Sequence, residues 1–239
     1  MLAVLHATQA VVILALSTSF SLPVTGAFME GQPGSGLPTP DRLFDLPVGP
    51  LVAAFLLLAA VDHGLVALPP FRERYERYLA AGVNPFRWIE YSLSASVMVV
   101  LIAMLTGVAD FVALGAIFVA NAAMIFFGWL MELLNPPGRT RTRWLPFVLG
   151  CIVGAAPWVA VATQIAVSAA RGHAPPTFVY AIFVSLFVLF NSFAVNQVLQ
   201  YKRVGRWRDY RYGERWYLWL SLVAKSLLAW QIFANALVL

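Results

Sequence analysis

Long apolar runs dominate the sequence and restrict the chain to a membrane fold. Seven runs of about 18 or more residues are separated by polar breaks, and each is long enough to cross roughly 30 Å of hydrocarbon as a helix. They cover residues 2–22, 48–68, 87–108, 111–134, 145–170, 177–200 and 215–238. Charged residues make up only 11% of the chain, far below the share in a soluble domain. The sequence therefore predicts an all-α, multi-pass cell-membrane protein with a single seven-helix domain over residues 1–239.

Basic residues are concentrated in three of the connections between these runs. The second, fourth and sixth connections, with their edges, hold 13 of the 16 Lys and Arg residues. These are Arg72, Arg74, Arg77 and Arg87, then Arg139, Arg141 and Arg143, then Lys202, Arg203, Arg206, Arg208, Arg211 and Arg215. Because cytoplasmic loops carry the excess of Lys and Arg, we expect the amino terminus in the cytoplasm and the carboxyl terminus outside. Topology and contact with the lipid bilayer explain the net charge of +5, so no nucleic-acid partner is predicted.

The first connection, an extracellular loop over residues 23–47, differs from the others in length and composition. From Pro23 to Pro50, eleven of 28 residues are Gly or Pro, which favours turns over helix. We interpret it as a lid or short β-hairpin over the outer mouth, and as a candidate homodimer contact. A disordered outer loop is the alternative.

The sequence contains no motif that indicates an enzyme active site or a metal site. The only cysteine, Cys151, lies in the fifth run and can form neither an internal disulfide nor a Cys/His metal site, so we interpret it as a packing residue. No metal-ligand set, nucleophile elbow or phosphate-binding loop is present. An enzyme is therefore not predicted, and neither is a metal site.

Few ionisable residues fall at membrane depth, where a charge costs about a few kcal/mol or more and usually has a function. They are His6, Asp62, His63, Glu90, Glu132 and Lys225. On the predicted topology, the histidines and carboxylates all fall in the cytoplasmic half of the bundle. The outer half contains no carboxylate, since Asp45 and Asp110 lie only at its rim.

Lys225 stands near the middle of the last run, in the segment SLVAKSLLAW over residues 221–230. One interpretation is structural, with the lysine paired to a buried carboxylate or placed at an interface. The other is covalent, because burial favours the neutral amine, which can attack a carbonyl and form an imine. A protonated imine needs a buried counter-charge, and Glu90 of the third run is the best-placed carboxylate. Seven helices with a lysine on the last and an acid on the third are the arrangement of retinal proteins.

Five segments resemble the heliorhodopsin family. They are LHATQ of the first run, RWIEYSLSASVMVVLIAMLTGV of the third, ANAAMIFFGWLMEL of the fourth, FNSFAVNQ of the sixth and SLVAKSLLAW of the seventh. Together they extend the resemblance over most of the chain, and RWIEYS and SLVAK are its most specific parts. The family shares the inward amino terminus expected from the basic connections.

The resemblance implies a retinal site centred on Lys225. This residue would carry all-trans retinal as a protonated Schiff base, with Glu90 as the counterion. Ser221, one helical turn before Lys225, would lie on the same face and hydrogen-bond to the Schiff base or to Glu90. The polyene would be lined by Tyr91, Ser94, Met98, Asn121, Met124, Ile125, Gly128, Phe187, Phe190 and Trp230. Ordinary helix packing is the alternative for the Met and Phe positions.

The resemblance also implies a polar network on the cytoplasmic side of the retinal. His6 and His63 match the paired histidines of the family and would form a hydrated network with Glu90, the alternative being satisfied core histidines. Glu132 either joins this network or only caps its helix and faces lipid headgroups. Asp62 departs from the family pattern and makes the network more acidic. Arg87 would be buried in it, provided that the third helix begins near Asn84 and Pro85.

A light-sensing photoreceptor with a slow photocycle and no ion pumping is the predicted function. After retinal isomerises, the Schiff-base proton would pass to the cytoplasmic-side network, and the shape change would reach a cytoplasmic signalling partner through the basic loops or the lid. One alternative is a light-gated proton channel or weak transporter. Another is a membrane receptor or assembly protein without a chromophore, in which Lys225 and Glu90 form only an ion pair.

Overall fold

Helices account for most of the chain in the computed structural model, which describes residues 1–34, 36 and 38–238. The helices are α1 (Leu2–Leu16), α2 (Val48–Leu65), α3 (Pro69–Ala80), α4 (Pro85–Leu105), α5 (Phe111–Leu133), α6 (Leu145–Ala170), α7 (Thr177–Tyr201) and α8 (Tyr210–Ile232). A π-helical segment, Phe233–Leu237, extends α8, and a 3-10 turn, Gly205–Arg208, precedes it. The predicted all-α membrane fold is confirmed.

Six helices of the described chain are long and apolar enough to cross a membrane, namely α2, α4, α5, α6, α7 and α8. The seventh apolar helix, α1, has only 15 residues and is shorter than the predicted run 2–22. It ends because Ser17 has extended backbone and donates both its N–H and its hydroxyl to the carbonyl of Ile13. The chain then enters a strand at Ser21.

The second connection contains an additional helix, α3, that the hydropathy pattern did not predict. Its sequence PPFRERYERYLA is strongly charged, and none of its residues is buried. Pro69 and Pro70 occupy the first turn, where a missing N–H is tolerated. This helix lies at the end of the bundle that also carries the connections 134–144 and 202–209, here called the basic end. The opposite end is the hairpin end.

The first connection forms a two-stranded antiparallel hairpin, which was the preferred interpretation of its sequence. Strand β1 (Ser21–Ala27) pairs with β2 (Pro40–Pro47), from Ser21 opposite Pro47 to Ala27 opposite Pro40. The N–H of Thr25 donates to the carbonyl of Ala109 at 2.8 Å, and the buried Val24 joins the main apolar core. The hairpin is therefore attached to the bundle.

Helix α4 is the most buried of the membrane-length helices, since it packs against α2, α5, α6 and α7. The main apolar core includes Leu101 and Ile102 of α4, Leu186 of α7 and Leu228 and Ile232 of α8. These positions lie on the hairpin side of Lys225. Buried charged side chains lie at Lys225 and toward the basic end, so each half of the bundle has a different chemical character.

Candidate functional site

Lys225 makes a buried ion pair inside the bundle. Its side chain is only 3% exposed, and its Nζ lies 3.0 Å from Oε1 and 3.1 Å from Oε2 of Glu90. The Nζ also donates to the hydroxyl of Ser221 at 2.8 Å, one helical turn earlier on α8. The ring of Tyr91 lies 4.9 Å from the ammonium group, close enough for a cation–π contact. The structure thus brings together the lysine, the carboxylate and the hydroxyl that the sequence predicted.

An apolar cavity opens beside the amine of Lys225 and is bounded by helices α4 to α8. Its walls are mainly aromatic and aliphatic side chains. Gly128 of α5 is required for its shape, because a Cβ there would lie 2.5 Å from the indole of Trp88. A long apolar molecule that ends in a carbonyl fits this site, since the walls match its body and the amine can react with its end.

Most of the predicted contact residues line this cavity. They are Tyr91, Ser94, Met98, Met124, Ile125, Gly128, Phe190, Ser221 and Lys225. Three predicted polyene contacts lie outside the lining, as does the predicted counterion Glu90. The amide of Asn121 donates to Ser96 at 3.1 Å, Phe187 packs edge-on against Trp158, and Trp230 packs against Phe233 near the bundle surface.

Several lining residues were missed by the sequence reasoning. Trp88, Phe193 and Tyr217 all face the cavity, and Cys151 lies on its rim. Helical spacing was the available signal, because Tyr217 lies one turn before Ser221 on the same face of α8. Cys151, interpreted as a packing residue, lines this cavity and is also exposed at the surface of the bundle.

The paired histidines lie on helices α1 and α2, within electrostatic reach of Lys225. His6 is fully buried, and its ring stacks on that of His63 with 5.7 Å between centroids. Neither ring nitrogen of His6 has a hydrogen-bond partner among the described residues. The Nδ1 of His63 lies 3.9 Å from a carboxylate oxygen of Asp62. The structure therefore groups these three side chains, with unused hydrogen-bonding capacity at His6.

Arg87 and Glu132 belong to a separate cluster nearer the basic end, which corrects their predicted place beside the histidines. The guanidinium of Arg87 donates to Glu132 and to Glu214, each at 2.5 Å. Glu132 faces the protein interior and not lipid headgroups. Helix α4 begins at Pro85 after the Asn84 cap, as the burial of Arg87 requires.

Glu214 was not predicted as a site residue, because it was placed in the sixth connection. Helix α8 begins at Tyr210, five residues before the predicted run. Positions 214, 217, 221 and 225 recur every three or four residues, which is the spacing of one helix face. That spacing was the signal in the sequence.

Solved structures with the same arrangement of helices define the class of protein. Cyanorhodopsin from the cyanobacterium Tolypothrix sp. NIES-4075 is 17% identical, with a TM-score of 0.61 over 98% of this chain and 88% of that one. The light-driven proton pump LR (Mac) from Leptosphaeria maculans is 13% identical, with a TM-score of 0.66 over 98% and 92%. Exiguobacterium sibiricum rhodopsin is 14% identical, with a TM-score of 0.62 over 98% and 91%. The chain therefore has the fold of the microbial rhodopsins.

The family follows from the sequence profile that matches the chain. The heliorhodopsin profile matches residues 1–237, and the chain belongs to this family of light-sensing retinal proteins. No curated protein matches the chain. Family and fold together make it a multi-pass membrane protein of the rhodopsin type.

Proposed function

We propose that this protein is a photoreceptor that binds all-trans retinal covalently at Lys225, cycles slowly and pumps no ion. One observation carries the proposal. A buried amine faces an apolar cavity and has a carboxylate 3.0 Å away. Retinal bound there supplies the absorption of visible light and a light-driven change of shape.

The residues around Lys225 would hold the chromophore and its charge. Glu90 balances the positive charge on the Lys225 nitrogen, which a buried cation requires. Ser221 accepts a hydrogen bond from that nitrogen and fixes its direction. Tyr91 and Met98 of α4 and Phe190 of α7 pack along the cavity and exclude water from its apolar part.

Among the residues that the structure describes, the titratable acceptors for a proton that leaves the Lys225 nitrogen lie toward one side. Glu90 is in contact with this nitrogen, and His6, His63 and Asp62 form the adjoining polar group. The unpartnered nitrogens of His6 can accept or pass on a proton. By the distribution of basic residues, we assign this side to the cytoplasm, with the amino terminus inside and the hairpin outside.

Transport across the membrane would need a relay through the other half of the bundle as well. Between Lys225 and the hairpin end, the described helices carry no carboxylate except Asp110, which caps α5 at its first turn. The interior there is filled by the apolar core. A proton that leaves and returns on the same side gives a cycle without transport. The lack of a donor from the opposite half makes the return slow.

The output of the cycle would be a change in shape at the basic end or at the hairpin. We propose an unidentified cytoplasmic signalling partner for the basic end and a homodimer contact for the hairpin. The exposed side chains of Leu43 and Phe44 on β2 support an assembly role for the hairpin.

Binding of retinal is tested by adding it to cells that express the protein. The sequence contains two lysines, Lys202 and Lys225, which provides a matched control. The native protein and Lys202→Ala should absorb visible light, whereas Lys225→Ala should remain colourless. A native protein that stays colourless would support a receptor or assembly protein without a chromophore.

Absence of pumping is tested by illuminating cell suspensions that contain the coloured protein while recording external pH. We expect no sustained change in pH and a photocycle far slower than that of the Leptosphaeria maculans pump measured in parallel. A sustained light-driven pH change, or a steady photocurrent under voltage clamp, would contradict the proposal and support a transporter or channel.

A further inference from the structure

The cluster of Arg87, Glu132 and Glu214 has one more acidic group than it has basic groups. All three side chains are buried, with Arg87 4%, Glu132 1% and Glu214 5% exposed. One guanidinium balances one carboxylate, so a second ionised carboxylate would leave a net negative charge in the protein interior. Burial strongly disfavours such a charge, and an additional proton removes it.

Glu132 has no free position for that proton. Its Oε1 accepts hydrogen bonds from Arg87 at 2.5 Å and from the Tyr210 hydroxyl at 2.9 Å. Its Oε2 accepts from the indole N–H of Trp88 at 2.6 Å and from the backbone N–H of Asn84 at 2.9 Å. Four donors occupy the roughly four lone-pair positions of a carboxylate, so the additional proton has no place on Glu132.

Glu214 has free lone pairs, and it is the member of the cluster that lines a cleft at the basic end. Its two oxygens accept one bond each, from Arg87 at 2.5 Å and from the side-chain amide of Asn84 at 2.8 Å. The cleft lies between the connection after α2, helix α3 and the start of α8, and its walls carry both charged and apolar side chains. Protons in water can therefore reach Glu214 without passing the Lys225 site.

Charged and titratable groups face Glu214 from every element around it. Within the bundle they are Arg87, Glu132, Tyr210 and Tyr217, and in the cleft they are Arg72, Tyr75, Glu76, Asp209, Arg211 and Arg215. Arg72 is already paired with Glu76. Asp209 accepts from the backbone N–H of Arg211 and so caps α8, a contact that does not involve the guanidinium of Arg211. The charged group in direct contact with the Glu214 carboxyl group is Arg87, which it shares with Glu132, and the other contact is the neutral amide of Asn84.

We propose that Glu214 holds an exchangeable proton at the basic end, in a site separate from Lys225 and Glu90, and that light changes its occupancy. Helix α8 carries both Glu214 and Lys225, and α4 carries Arg87 three residues before Glu90. A displacement of α8 at the Lys225 site therefore moves Glu214 itself, and a displacement of α4 moves its partner Arg87. The light half of this inference, that light changes the proton occupancy of Glu214, rests on the proposed function. The dark half, that Glu214 holds a proton without illumination, does not.

The dark half is tested by infrared spectroscopy on retinal-free protein at neutral pH, in which a protonated carboxyl group gives a distinct C=O band. The native protein should show a band that is lost in Glu214→Gln and kept in Glu73→Gln, which removes an exposed carboxylate of α3. The Glu214 band should also be lost in Glu132→Gln, because Glu214 is then the one acidic partner of Arg87 and ionises. Circular dichroism verifies that each variant is folded.

Two results would overturn the dark half. One is a Glu214→Gln spectrum identical to that of the native protein. The other is a folded Glu132→Gln variant that retains the Glu214 band, since it would refute the argument from charge balance.

The light half is tested by light-minus-dark infrared spectra of retinal-loaded protein. We expect a change in the Glu214 band during the cycle that is absent in Glu214→Gln. A pigment that completes its cycle without this change would overturn the light half. If the protein proves not to be a photoreceptor, the dark band remains, so failure of the proposed function is distinguishable from failure of this inference.

Discussion

Replacement of Arg87 by glutamine should destabilise the protein far more than the same change at Arg72. Arg87 is 4% exposed and bridges two buried carboxylates at 2.5 Å each, and its guanidinium also stacks on Trp88 and Tyr217 at 4.2 and 3.8 Å. Removing one partner of a buried ion pair costs about 3–5 kcal/mol. Arg72 is 66% exposed and pairs with Glu76 at 3.0 Å, an arrangement that contributes under about 1 kcal/mol.

The comparison is made on retinal-free protein by reversible unfolding in mixed detergent micelles, with helix content as the signal. We expect a loss of about 3–5 kcal/mol for Arg87→Gln and under about 1 kcal/mol for Arg72→Gln. The Arg87→Gln deficit should shrink in mildly acidic buffer, because protonation neutralises the buried carboxylate that has lost its cation. Losses of equal size at the two positions would refute the reasoning that burial determines the strength of this cluster.

Three further changes probe other parts of the structure. Gly128→Ala should reduce the yield of coloured protein after addition of retinal. The new Cβ would lie 2.5 Å from the Trp88 ring, so the ring must move into the cavity or the backbone must shift. An unchanged yield would contradict the assignment of this cavity to retinal. Ser221→Ala removes the 2.8 Å hydrogen bond to Lys225 and should shift the absorption maximum while colour is retained, whereas an unaltered spectrum would exclude this contact in the pigment. Burial raises the pKa of Tyr75 from 10 to about 12, because the folded state favours the neutral phenol. The stabilisation from this preference is complete below pH 10 and is lost as the pH rises toward 12. In Tyr75→Phe, the free energy of unfolding should therefore depend less on pH between 10 and 12. The same pH dependence in the variant and the native protein would contradict this prediction.

Hydropathy was sufficient to predict the membrane-length helices, because length and apolar character determine whether a helix can cross a bilayer. It did not predict where α1 ends, since Ser17 and the pairing of β1 with β2 determine that boundary. Helix α3 was missed for a different reason. Its charged sequence resembles that of a loop, and its helical character is not visible in hydropathy.

The ion pair of Lys225 and Glu90 was predictable because a buried lysine needs a buried carboxylate and few candidates exist. The partners of Arg87 were not, because Glu214 lies among basic residues and only the start of α8 shows that it faces inward. Phe187 and Trp230 lie on cavity-bearing helices but point away from the cavity. The rotation of each helix about its axis decides this, and an almost uniformly apolar sequence does not encode that rotation clearly.

Covalent attachment of retinal to Lys225 is the central claim, and the chain offers a direct test with its two lysines. Retinal-loaded protein is reduced with borohydride, digested and analysed by mass spectrometry. The account predicts the added mass of a retinyl group on the peptide that contains Lys225 and none on the peptide that contains Lys202. A retinyl group on Lys202, or coloured protein without any modified lysine, would contradict it.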